Sequence, residues 1–234
     1  MTGPVLLNNI DHGDVRVRLG HGAAFGDAVN QIELLPTEFE AAQRDYPIVL
    51  RRTSEGGWRA FALLGLERDE NLFLDGERWR ARYVPALAQR GPFSIGVSQG
   101  GGEPMIHIDT SHPRISRSEG ERLFRDHGGN APYLDHVAKV LQVIYAGIET
   151  APALYRAFET AELIAPVTLE IALPDGRQYR VPDCHTIDAA ALARLDGETL
   201  AALAQRDLLR PAVWLASSLG NVARLIELKA GADG

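Results

Sequence analysis

Between Tyr46 and Val97 the chain reads as short runs of Val, Ile, Phe, Trp and Tyr separated by clusters of Gly, Asp, Asn and Ser. Connections this short join only antiparallel neighbours, because a parallel pair needs a crossover of a dozen residues or more. The spacing therefore predicts an antiparallel meander. Ile48–Leu50 and Trp58–Leu63 form one hairpin across Ser54–Gly57, and Leu72–Leu74 and Trp79–Tyr83 form a second across Asp75–Gly76, with Glu77 and Arg78 lengthening that turn. Phe93–Val97 follows Gly91-Pro92. Upstream, Val5–Leu7, Val15–Leu19 and Gln31–Leu35 read as strands, the second alternating apolar with arginine. A short helix over 37–44 opens after Pro36, with Thr37 as its N-cap and Phe39 and Ala42 facing inward. Met105–Asp109 closes the β-rich part, after a loop over Gln99–Glu103 that contains Gly100, Gly101 and Gly102.

After residue 110 the period changes. Val137, Val140, Leu141, Ile144 and Ile148 recur at helical spacing, which predicts an amphipathic helix over 132–149. Pro152 is expected to break or kink it, and Thr150 to cap a second helix carrying Leu154, Tyr155, Phe158 and Ala161. A late hairpin over 168–181 turns at Pro174-Asp175-Gly176, and the remaining chain is helical over 189–194, 198–206 and 211–229. Strands that precede helices argue for an α+β fold rather than a doubly wound parallel sheet. We expect a single domain over 1–234, β-rich over 1–109 and mainly helical over 110–234 with the 168–181 hairpin, in which helices from the second half cover the sheet.

A chain of 234 residues with 45% apolar and 24% charged residues has the means to bury a core without staples. The single cysteine, Cys184, has no partner for an internal disulfide. Net charge is −7 and lysine occurs only at Lys139 and Lys229, which argues against nucleic acid as a partner. The opening residues show no basic region leading into an apolar stretch, and no apolar run approaches the ~18 residues of a membrane span. The chain is expected in the cytoplasm, without membrane insertion, and a homo-oligomer is compatible with its composition.

Five groups of residues carry candidate chemistry. His107-Ile108-Asp109 has the HxD spacing of a two-histidine, one-carboxylate iron site, for which His127, His136 or His185 offers the distal ligand. Its bland counterpart is a strand-end pair making ordinary hydrogen bonds. Asp183-Cys184-His185 places a thiol beside an imidazole, although catalytic pairs meet across a fold rather than along a strand, so Cys184 reads as an apolar filler. Gly100–Gly102 lacks the lysine and helix of a phosphate loop, and Glu67, Asp69 and Glu70 lack calcium-loop spacing and read as a solvated turn. Trp58, Trp79 and Tyr83 fall on adjacent predicted strands and suit either a flat ring platform for a sugar or peptide or ordinary core packing.

A resemblance then emerges. Tyr46-Pro47-Ile48-Val49, Ala62–Glu67 with Glu70–Asp75, Tyr83-Val84-Pro85-Ala86, Ile108-Asp109, the 163–166 segment, Ile187-Asp188 and the C-terminal stretch with Ser218-Leu219-Gly220-Asn221 resemble the bacterial SapC family over nearly the whole chain. The resemblance implies an association with surface-layer proteins and with genes beside outer-membrane receptors, cupin-type oxygenases and flavin-dependent halogenases. It brings no catalytic signature. We therefore expect a non-catalytic binding or accessory protein with a protein partner in a cell-surface or outer-membrane nutrient-uptake system, Trp58, Trp79 and Tyr83 as binding residues, and no cofactor. The alternative is a non-haem iron oxygenase-like enzyme holding Fe2+ with His107, Asp109 and His185.

Overall fold

A computed structural model describes residues 3–96 and 104–232; the expected glycine loop over Gln99–Glu103 lies outside the described residues. The strands in chain order are β1 (Val5–Leu6), β2 (Arg16–Val17), β3 (Gln31–Leu34), β4 (Ile48–Arg52), β5 (Trp58–Leu63), β6 (Leu74–Asp75), β7 (Arg78–Trp79), β8 (Phe93–Gly96), β9 (Met105–Ile108), β10 (Ile115–Ser116), β11 (Glu121–Arg122), β12 (Ile164–Ala172) and β13 (Gln178–Ile187). The α-helices are α1 (Phe39–Ala42), α2 (Ala86–Gln89), α3 (Pro132–Thr160), α4 (Ala189–Ala193), α5 (Gly197–Gln205), α6 (Leu209–Ser218) and α7 (Val222–Ala232). All strand pairings among the described residues are antiparallel, and the protein is α+β as its sequence predicts.

The meander, however, does not stay in one sheet. The main sheet has the order β12-β13-β4-β5-β3, so the late hairpin joins the meander through His185 opposite Leu50. That hairpin also runs further than 168–181, from Ile164 to Ile187, which puts Asp183-Cys184-His185 inside a strand. β6 and β7 form a separate ribbon whose loop is only Gly76 and Glu77, shorter than expected, with Gly76 at φ 58° as a tight hairpin turn requires. β8 pairs with β9, and β9 with β1, in a third sheet.

Two buried apolar clusters result. One gathers Tyr46, Ile48, Leu50, Phe39, Phe73 and the inner faces of α6 and α7; the other gathers Val15, Val17, Phe93, Ile108 and Leu123. Helix α3 spans both: Leu134, Val137, Val140, Leu141 and Ile144 pack in the second cluster, and Leu154, Tyr155, Ala157 and Phe158 in the first. This explains why Pro152 does not end the helix. An interior proline costs ~3 kcal/mol, whereas burying each large apolar side chain returns about 1.5–3 kcal/mol, and three such residues, Leu154, Tyr155 and Phe158, lie beyond it. Thr150 accordingly makes no cap; its hydroxyl donates to the carbonyls of Ala146 and Gly147 at 3.0 and 3.2 Å. Ile148, expected on the buried stripe, is exposed, and Gly147 takes its place: a Cβ there would lie 2.5 Å from Leu35 Cβ. Thr37 is likewise not a cap, because its hydroxyl reaches α3 and donates to the Val143 carbonyl at 2.9 Å.

Several resemblance-bearing motifs prove to be fastenings. Ser218 is fully buried and its Oγ accepts from the Ile48 N–H at 3.1 Å, while Asn221 Nδ2 donates to the carbonyls of Gln43 and Tyr46. The acidic turn is not simply solvated. Glu70 accepts from the N–H groups of Leu66 and Glu67 and from Lys229 Nζ at 2.6 Å, and Glu67 also pairs with Lys229 at 3.1 Å. Lys229, 4% exposed, thus clasps α7 to the 64–72 loop. The hydrogen bond to Glu70 leads in raising its pKa above the ordinary 10.5, with Glu67 adding to it against the opposing effect of burial. A raised ammonium pKa contributes stability that is fully present below the unfolded value and is lost as pH rises through the folded one. Lys229→Met is therefore expected to lower Tm at pH 7 and to flatten the decline above pH 10.5, checked by thermal melts across pH.

Candidate binding recess around Arg114

The loop from Gly20 to Gly26 is bracketed by glycines that take backbone angles other residues resist, φ 95° at Gly20 and 85° at Gly26. That freedom folds the loop back so that Asp27 Oδ2 accepts from the Gly22 N–H at 2.9 Å. The same oxygen accepts from Arg114 Nη2 at 2.9 Å, and both side chains are only 7% exposed. Arg114 is further held by the Arg18 and Gly20 carbonyls, to which Nη1 donates, and its guanidinium lies 4.3 Å over the ring of Phe25. Asn71, from the Glu70–Asp75 motif, locks the loop from behind by donating to the Asp27 carbonyl at 2.9 Å.

Arg114 follows a tight turn that leaves β9. Asp109 Oδ1 accepts from both the N–H and the hydroxyl of Ser111, at 2.9 and 2.6 Å, and the Ser111 hydroxyl is the main reason its carboxyl sits below the usual range. His112 Nδ1 accepts from the Arg114 N–H at 3.1 Å. Burial, then the Arg114 and Arg90 charges, lower the His112 pKa against the pull of Asp109 and Asp27. At neutral pH the ring is uncharged, and with Nδ1 accepting, its proton is on Nε2. Arg90, past the end of α2, donates from Nη1 to the Phe93 carbonyl at 3.1 Å, while its buried Nε has no partner.

These groups wall a cavity of about 340 Å³. Its polar side comprises Asp27, Arg90, Ser94, Asp109, His112 and Arg114; its apolar side comprises Phe25, Val29, Ile32, Trp79 and Leu87. The recess is mixed, with a polar wall of several charged groups facing an apolar one.

The aromatic platform expected from Trp58, Trp79 and Tyr83 does not assemble. Trp58 and Trp79 belong to different sheets, and Tyr83 is in no strand. Trp79 is buried at the back of the recess, donates to Tyr46 Oη at 2.7 Å and meets the His21 ring edge-on at 5.2 Å. Tyr83 Oη donates to buried Glu38 at 2.9 Å. Trp58 instead lines a separate groove of about 600 Å³ beside Tyr155 and Arg156, where it donates to Glu159 at 2.7 Å and packs on His185. Core packing and polar anchoring, rather than a shared surface, place these three rings.

The iron triad does not converge either. His107 lies in the β1-β9-β8 sheet with its ring over Gly96, where a Cβ would come within 2.3 Å of it, and His185 stands in the main sheet against Trp58. Among the described residues no three His, Cys, Asp or Glu side chains are grouped to hold a metal ion. Cys184 points inward, and burial raises its pKa, which keeps it a thiol; its neighbour His185 projects to the opposite face of the strand. Arg114, Asp27, Arg90 and His112 are what sequence reasoning missed. The glycines bracketing the loop that leads into Asp27 were the available signal, whereas Arg114 is one of many arginines.

Fold and geometry together define an α+β protein with a mixed polar and apolar recess between its N-terminal loops and the β8–β9 hairpin. The SapC family model matches residues 7–225, and the chain belongs to the SapC family. No curated protein and no solved structure matches it. No helix among the described residues is long and apolar enough to cross a membrane.

Proposed function

We propose that this protein is a non-catalytic accessory protein that works by binding a protein partner, in the cytoplasm, as part of a cell-surface or outer-membrane nutrient-uptake system. The observation that carries this reading is an exposed edge strand bearing apolar side chains in the β1-β9-β8 sheet. Val5 and Leu6 of β1 are 42% and 44% exposed, Met105 of β9 41% and nearby Ile10 89%. β1 is an edge of its sheet, so one side of its backbone is available to pair with an extended segment of another chain. Family membership supports an accessory part, and the reactive side chains His107, Asp109 and Cys184 are each occupied in local packing or turns.

Affinity capture from native cells tests it, with Val5→Glu/Ile10→Glu as the paired variant. A stoichiometric protein partner retained by the unaltered chain and lost by the variant, at unchanged Tm, is the expected result. Failure to recover any stoichiometric partner, or equal recovery by both, would refute the proposal.

A further inference from the structure

We propose that the cavity lined by β13, the start of β3 and the end of β5 is a binding site for a doubly charged oxyanion, a phosphate or small phosphate ester, received by Arg51 and Arg180. The site belongs to the main sheet rather than to the β1 sheet, so it goes beyond the partner-binding reading and does not depend on it.

The cavity, of about 320 Å³, has Asn30, Gln31, Arg51 and Arg180 on its polar side and Leu63, Leu66 and Val181 on its apolar side, and no carboxylate lines it. Arg51 is built into this wall. Opposite Thr168 alone, β13 carries two residues, Pro182 and Asp183, and Asp183 takes φ 55°, so the strand bulges and leaves both carbonyls for Arg51. Arg51 Nη1 donates to them at 3.1 and 3.4 Å, and Nε donates to Gln31 Oε1 at 3.2 Å. Three of the five N–H groups thus hold the guanidinium still, and the pair on Nη2 has no protein acceptor among the described residues. Nη2 is not sealed from solvent, so a ligand has a route to it.

Arg180 supplies the second charge. It is exposed on β13 and makes no ion pair or hydrogen bond among the described residues. The acids around the site are Glu170, across the hairpin from Arg180, and Asp183; neither forms an ion pair with Arg51 or Arg180, and neither lines the cavity. Glu67 and Glu70, beyond Leu66, are taken by Lys229. The Asn30 side-chain amide, also without a partner among the described residues, adds a neutral donor. Two guanidinium groups facing a cavity without carboxylates favour a dianion over a monoanion, because the attraction scales with the product of the charges. With a net charge of −7 the chain as a whole repels anions, so binding has to come from these local donors. The volume lies at the small end of the ~300–1,000 Å³ usual for ligand sites, which limits the ligand to a phosphate group and a small body facing Leu63, Leu66 and Val181.

Isothermal titration of the full chain with phenyl phosphate, orthophosphate and benzoate at about pH 8, where phosphate esters are dianions, tests this. Phenyl phosphate is expected to bind with a Kd near or below about 1 mM, and benzoate at least ~10-fold more weakly. Orthophosphate bound as tightly as the ester would identify the free ion as the ligand, and weaker binding would identify an ester. Arg180→Gln, at an exposed position without protein partners, is expected to keep the fold and to lose at least ~10-fold in phenyl phosphate affinity. Arg51→Lys is expected to lose as much although it keeps the charge, because an ammonium cannot hold the bulge carbonyls and also present a fixed pair of N–H groups. The proposal fails if neither phosphate binds, if benzoate binds as tightly, or if Arg180→Gln binds undiminished. A folded Arg51→Lys with the parent's affinity would equally overturn it, since that result marks a diffuse positive surface and not a positioned guanidinium.

Discussion

Asp27→Ala is expected to destabilise the protein by about 3–5 kcal/mol, because it strands the Arg114 guanidinium in an interior where both partners are 7% exposed. For a chain of this size that corresponds to a fall in Tm of roughly 6–20 °C. The loss is larger than that of any surface pair here, since exposed pairs such as Arg44–Glu40 contribute only ~0–1 kcal/mol. The double variant Asp27→Ala/Arg114→Met is expected to recover part of it. Methionine keeps contact with Phe25 and removes the stranded charge, but leaves the Arg18 and Gly20 carbonyls without their donor. Chemical denaturation of Asp27→Ala, Arg114→Met and the double variant against the parent measures the coupling. A double variant no more stable than Asp27→Ala would show that the cost lies in the loop and not in the charge.

Glu38→Ala is the second large effect. Glu38 is 1% exposed and its carboxylate accepts three hydrogen bonds, from Leu35 N–H at 2.9 Å, Ala86 N–H at 2.7 Å and Tyr83 Oη at 2.9 Å. It therefore fixes the turn before α1 to the Tyr83–Ala86 segment that starts α2. Removal leaves three donors unmet, and with ~1–3 kcal/mol at stake for each, partly relieved by relaxation and water, a loss of about 3 kcal/mol is expected. The pH dependence has a distinctive sign. Burial raises the Glu38 pKa above its ordinary 4.5, outweighing its hydrogen bonds, so the folded state holds this proton more tightly than the unfolded one. Its contribution is most favourable below pH 4.5 and falls as pH rises from there through the folded pKa. The stability difference between parent and Glu38→Gln should move in that direction over this interval. A flat difference would contradict it.

Glu38 also shows why part of the molecule was hidden in its sequence. A glutamate two residues after a proline, in a stretch with helical pattern, looks like any exposed first-turn acid. Nothing local says that Tyr83 and Ala86 arrive above it. The same holds for Thr37, which matches an N-cap by type and position yet serves Val143 of α3. Trp79 and Tyr83 had the right types for a binding surface, and the hydrogen bonds of their polar ends to Tyr46 and Glu38 turn them inward. The hairpins around Ser54–Gly57 and Asp75–Gly76 were legible because turn chemistry is decided within a few residues.

By itself the sequence determined the α+β class, the family, the strands of the central hairpin and the apolar stripe of α3 from Val137 to Ile144, all of which depend on periodicity and backbone preference between near neighbours. Tertiary structure alone decided the sheet order, the unbroken α3 and the recess, because these depend on groups far apart in the chain. Asp27 and Arg114 stand 87 residues apart. Their ion pair exists only because burial makes an unpaired charge at either position too costly to leave alone.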